Sequence, residues 1–305
     1  MAYYFLYDKA LPLQDIWEID FNVAKRVDIT NPQGGANTYF ERDSNETIWE
    51  TLARKVPVWF GPGTDNIRHE LKLAPGRYYP RMARPLYIYP NHGLGRNPGN
   101  NNTTNEIAVT RGQLVALTRQ LQRICETVHP SSDTFNAYGH EIRNLLILAC
   151  TEVEAHWRGV LNANGASKPD DRFSTNDYVK LASSMRLSEY SVSFPFYPWI
   201  DPVKPFEKWG TTGQPTKEID WYDAYNTVKH DREKNFKKAT LANAFHAVSA
   251  CAIMMLAQFG DPNHIEPRSE LQYFFQPKDV PKWPPSEVYV FPFNDSGWVP
   301  QQFVF

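Results

Sequence analysis

Cysteine is scarce in this chain. Cys125, Cys150 and Cys251 stand far apart, odd in number, each within an apolar helical pattern. This excludes a disulfide framework and reads as buried thiols of a reducing compartment. There is no CxxC, no HExxH and no Cys/His ligand group, so neither a structural zinc nor any other metal is expected. Long hydrophobic runs are missing as well. The longest, AVSACAIMMLAQFG (247–260), is too short for a bilayer span and carries polar residues. The opening MAYYFLYDKALPL lacks the basic start and continuous apolar stretch of a signal peptide, so a cytoplasmic protein with no membrane partner is expected. A basic excess is also absent: 32 Lys and Arg face 34 Asp and Glu, a net charge of −2. That argues against a protein that coats duplex nucleic acid along its whole surface, while leaving local basic stretches such as KHDREKNFKK (229–238) open.

Aromatic residues and prolines are plentiful by contrast. Aromatics make up 14% of the chain, and the 24 prolines cluster towards its two ends. Residues 1–106 read as β-rich. YYFLY, WEIDFNV, VPVWFGPG and LYIYP are short extended runs between turn residues, and IWETLARKV (48–56) is the one short helix among them. The segment PNHGLGRNPGNNNTTNE (90–106) has turn-prone backbone and little to bury, and it lacks the GK[ST] ending of a phosphate loop.

From about residue 107 the apolar period becomes helical. Leu114, Leu117, Leu121, Ile124 and Val128 share one stripe, and Pro130 follows. Ile142, Leu145, Leu146, Ala149, Val153, Trp157 and Val160 mark a second helix over 137–161, and STNDYVKLASSM (174–185) marks a shorter third. A final long helix is expected over 233–258, apolar nearly all round and therefore central. Residues 261–305 return to Pro-rich aromatic runs that are expected to pack back on the body, since chain ends often meet.

Chemistry concentrates in DWYDAYNTVKHDRE (220–233). On a helix, Asn226, His230 and Glu233 share one face, beside Lys229 and Arg232. An imidazole that titrates near neutrality can move a proton, and neighbouring cations can stabilise a developing phosphorane. On the second helix Glu152 and His156 are spaced i, i+4; a metal there would need a third ligand that the spacing does not supply. Glu152 is expected to point across the helices towards His230, Lys229 or Arg232, or else to form an ordinary intrahelical pair. Glu154 and Arg158 form a second i, i+4 pair.

Helical spacing with N-x-x-K-H-x-R near the root of the last helix resembles the HEPN superfamily. The resemblance, over residues 107–260, implies a mainly α fold: an antiparallel helical bundle with β-rich or irregular N- and C-terminal extensions. It implies a homodimer, a metal-independent ribonuclease or RNA-binding protein of the toxin or phage-defence type, no cofactor, and an antitoxin or other protein partner. His230 falls on the family histidine and Asn226 on its polar residue, while Tyr225 stands where the family has arginine. His230, Asn226, Lys229 and Arg232 are thus the expected catalytic group, with Glu152, His156, Tyr225 and Glu233 supporting it. The alternative is a catalytically silent helical module that binds a protein or a nucleotide.

Overall fold

Period-two alternation sends neighbouring strand residues to opposite faces of a sheet, and the first strand shows both faces being used. In β1 (Ala2–Tyr7), Phe5 and Tyr7 enter one apolar cluster and Leu6 enters another. The computed structural model describes all residues except 8–13, 28–34, 36, 85–96, 261–270, 272–273 and 294–296. For Gln14, Asn100, Asn101, Asp171 and Arg232 it describes the backbone only. The chain divides into two compact units: Met1–Tyr78 with Arg84–Gly95 and Lys282–Pro300, and Tyr79–Ala83 with Arg96–Pro281 and Gln301–Phe305.

The first unit is built on a five-stranded sheet. β1 pairs antiparallel with β2 (Gln14–Ile19), β2 with β3 (Val23–Arg26), and β3 with β4 (Tyr39–Glu41); β5 (Arg68–Glu70) closes the other edge against β1. One face carries Leu6, Trp17, Ile19 and Ala24, covered by α1 (Ile48–Lys55) and α2 (Pro57–Phe60). The other carries Phe5, Tyr7 and Ile16 against Leu71, Val288 and Val290. β6 (Arg77–Tyr78) later pairs in parallel with Val299–Pro300.

The second unit is mainly helical. Its elements in order are α3 (Thr104–Thr127), α4 (His140–Ala163), α5 (Thr175–Tyr178), α6 (Lys180–Ser184), α7 (Asp220–His230), α8 (Arg232–Asn235) and α9 (Leu241–Phe259). A small ladder, β7 (Ser191–Ser193) with β8 (Gln276–Asp279), joins them, and Val299–Pro300 in the first unit is β9. The expected stripes of α3, α4 and α9 are buried together in one core; of the stripe residues, only Val128, just past the end of α3, is half-buried. α9 is long and apolar enough to cross a membrane by length and composition, and it is buried inside its own unit.

The expected mainly α bundle is corrected by these elements. Among the described residues helix accounts for 46% and strand for 14%, and the five-stranded antiparallel sheet makes the fold mixed α/β. The N-terminal strands build a sheet with its own two-sided core, so they are not extensions of a bundle. Four local expectations also change. The run WEIDFNV turns at 20–22, where the Asp20 N–H donates to the Val23 carbonyl at 2.8 Å, so it ends β2 and begins β3. VPVWFGPG holds the helix α2, with Pro57 at its first position, because short apolar runs suit helix and strand alike. The helix expected over 233–258 is three pieces. Asp231 caps α8 and Thr240 caps α9, each side chain accepting a backbone N–H, with a 3-10 turn at Phe236–Lys238 between them. The expected helix over 174–185 is split into α5 and α6. The expected strand LYIYP and residues 90–96 lie outside the described residues.

Candidate functional site

α7 is held from below by its aromatic residues. Trp221, Tyr222 and Tyr225 are buried, and the Trp221 indole donates to the Pro205 carbonyl at 2.8 Å. The loop that leads into α7 is organised by Glu218, whose carboxylate accepts the backbone N–H groups of Gly210, Thr212 and Gln214 at 2.5, 2.6 and 3.2 Å. Burial works against that charge, but the converging N–H donors prevail and hold the carboxyl at about 2. The Tyr222 hydroxyl donates to Glu154 on α4 at 2.7 Å. Burial, and then the Glu154 charge, push the Tyr222 phenol far above its ordinary range, so it stays a donor.

Lys229 reaches back one turn. Its ammonium donates to the Tyr225 hydroxyl at 2.9 Å and lies 5.0 Å from that ring's centroid. That hydrogen bond, ahead of an opposing burial effect, raises the Lys229 pKa and keeps it charged. Lys229, Tyr222 and Glu154 line a cleft of about 600 Å³. Arg158 on α4 and Asp170, Arg172 and Phe173 in the following loop complete much of its wall. Ser174 and Thr175, at the start of α5, line it too. Three cations and two carboxylates therefore meet around one cavity, and Glu154 is already tied to Tyr222.

The structure separates the expected catalytic group. His230 is exposed as the last residue of α7 and is not among the residues that line the cleft. The Asn226 amide donates to the Tyr222 carbonyl at 3.0 Å, within its own helix, so it does not orient His230. Glu233 is exposed on α8, a separate helix, and the Arg232 side chain lies outside the described residues. Tyr225 and Lys229 do come together, as a buried phenol and the ammonium it carries.

Glu152 and His156 belong to another cluster. His156 is 3% exposed, and its Nδ1 lies 2.7 Å from the Gln258 side-chain nitrogen. The Gln258 oxygen accepts from Arg81 Nε at 2.8 Å, so its NH2 faces the imidazole and Nδ1 is the acceptor. The ring proton then sits on Nε2, which faces Glu152 at 3.8 Å. Burial, reinforced by the Arg81 charge, pushes His156 down to about 3, so it is neutral. Burial raises the Glu152 carboxyl against a smaller opposing effect of Arg81. Glu152 and Glu154 are two residues apart on one helix, roughly 200° around its axis, which is why they serve different clusters.

Sequence reasoning passed over Arg172, Asp170, Phe173 and Tyr222. The signal was the charged run KPDDRFST (168–175) directly after a long helix, with no periodicity to bury it. No family model, no curated protein and no solved structure matches this chain.

Proposed function

We propose that the helical unit binds RNA, with the cleft of Lys229, Arg158 and Arg172 as its phosphate contact. The observation that supports this most directly is the convergence of those three cations on one cavity of about 600 Å³. Phosphate contacts supply most of the affinity of such complexes, and guanidinium groups match phosphate oxygens in pairs. Phe173 is half-buried at the same wall and offers an aromatic face for a base. The motif's likeness to that of HEPN proteins points to the same ligand class. The carboxylates of Glu154 and Asp170 restrict the cleft to a few phosphates, in keeping with a chain of near-zero net charge.

The test is fluorescence anisotropy of a labelled single-stranded RNA with the full chain. Three cations give a log–log salt slope of about −2 for a single strand. Arg158→Gln with Arg172→Gln weakens binding about tenfold or more and flattens that slope. Unchanged affinity in the double variant would overturn the reading. A second reading, metal-independent cleavage, is favoured by the solvent-exposed His230 at the end of α7, next in sequence to Lys229. It requires RNA cleavage in EDTA that disappears in His230→Ala while the melting temperature holds. It loses ground from the Asn226 amide, which is occupied by its own helix.

A further inference from the structure

A second cavity of about 790 Å³ runs along the C-terminal half of α3 and ends at the first turn of α4. It is distinct in its residues from the cleft at α7 and does not depend on the RNA reading. Its length follows from α3. Ala116, Gln120, Ile124 and Thr127 recur along one side of the helix, roughly 16 Å of groove. Its floor is apolar: Ile124 and Ile142 are 7% and 5% exposed and Val128 is half-buried.

One wall carries charge of a single sign. Arg119 and Arg123, one turn apart, both line the groove. The closed end is a built feature. Tyr138 bridges to Thr240, and the rings of Tyr138 and His140 pack on Phe236 with centroids 5.8 and 5.0 Å away. Between them Gly139 is the N-cap of α4 and lines the groove with His140 and Glu141, so the positive end of a 24-residue helix borders it. Among the described residues the one lining carboxylate is Glu141, in the first turn of α4.

We propose that this groove is a binding site for an amphiphilic anion, a linear alkyl chain ending in a carboxylate or phosphate. The chain lies on Ile124, Val128 and Ile142, and the anionic end meets Arg119, Arg123 and the α4 terminus. The cavity volume falls in the ordinary range for small-molecule sites, and apolar lining with a few converging polar groups is their usual composition. Charge complementarity selects the sign of the headgroup.

Calorimetry on the full chain, below the micelle concentration, decides it with decanoate, decyl phosphate, decylamine and decanol as probes. Decanoate and decyl phosphate are expected to bind, their ratio showing which headgroup is preferred, while decylamine binds at least tenfold more weakly. Removing two carbons from the chain lowers affinity by about tenfold. Arg119→Gln with Arg123→Gln reduces decanoate binding about tenfold and leaves decanol unchanged. Ala116→Trp, at an exposed position that tolerates bulk, blocks all of the chains. Equal binding of decanoate and decylamine, full affinity in the arginine double variant, or displacement of decanoate by an RNA oligonucleotide would overturn the proposal. So would the absence of any binding by the folded wild-type chain.

Discussion

The two units of this protein solve the same burial problem in different ways. The sheet unit divides its apolar side chains between two small clusters, one on each face, because its strands must send alternate residues in opposite directions. The helical unit gathers its stripes around α9, which is buried on every side from Ala247 to Phe259. The difference extends to polar groups. In the sheet unit, charge is matched with charge: Arg54 with Asp43 and Glu46 near the surface, and the buried Arg84 with Glu287 at 2.6 Å. The helical unit instead takes an imidazole and an amide into its interior, and must match each to a partner. Division of the core limits how far a single lesion spreads; concentration makes the helical unit more exposed to one.

The largest expected effect tests that claim. Trp157 is fully buried, and its ring lies 4.6 Å from Trp209 and 5.3 Å from Tyr222, centroid to centroid. Trp157→Ala is expected to cost about 4 kcal/mol. Hydrogen exchange should show lost protection through α3, α4, α7 and α9, with the amides of β1 and β2 unchanged. Leu52→Ala, on the helix-covered face of the sheet, is expected to cost about 3 kcal/mol and to loosen α1 and β1 while sparing α9. If either variant loosened both units equally, the contrast would fail.

Acid should separate the units next. An unfolded His156 takes up a proton near the ordinary imidazole value of 6.5, whereas the folded imidazole refuses it down to about 3. Between those values the unfolded state binds more protons, so acidification favours unfolding by about 1.4 kcal/mol per pH unit from this group. Burial lowers His246 on α9 too, against a smaller effect of Asp220, which adds to the same trend. In urea titrations from pH 7 to pH 5, the helical unit is expected to lose about 2 kcal/mol through His156, and His156→Gln should remove that share of the slope. An unaltered slope in the variant would mean that the buried imidazole is not what makes this unit acid-sensitive.

How much of this was legible in the residues follows the range of the forces involved. The stripes of α3, α4 and α9 were readable because helical burial repeats locally, and α9's nearly continuous apolar circumference announced its central place. The sheet unit was readable only in part. The tail was expected to pack back, and Val288 and Val290 do complete the second cluster; that β5 comes to β1 from sixty residues away had no local signal. Nor did the break between Asp231 and Thr240 carry a proline or glycine to announce it; two side-chain caps end what periodicity would continue. At the site, the contact of Lys229 with the Tyr225 hydroxyl one turn earlier was not anticipated, although the two are spaced i, i+4. Spacing could not show that the Asn226 amide would prefer a carbonyl of its own helix, or that Glu154 rather than Glu152 faces α7.

The smallest effect sharpens the comparison most, because it holds the local chemistry constant. Among the described residues each unit has one helix begun by a capping box: Thr47 with Glu50 before α1, and Ser174 with Asp177 before α5. In both, the acidic side chain accepts from the cap's backbone N–H, at 2.6 and 2.9 Å. Thr47→Ala and Ser174→Ala should therefore cost about 1 kcal/mol each, measured by chemical denaturation. α5 is only four residues long, but Asp177 is also held by Lys168 at 2.9 Å, so part of its structure survives the loss of the Ser174 hydroxyl. Equal costs at the two caps, beside unequal spread from Trp157 and Leu52, would locate the difference between the units in how their cores are shared out and not in how their helices begin. A Ser174→Ala cost several times that of Thr47→Ala would move it to the loop that walls the α7 cleft.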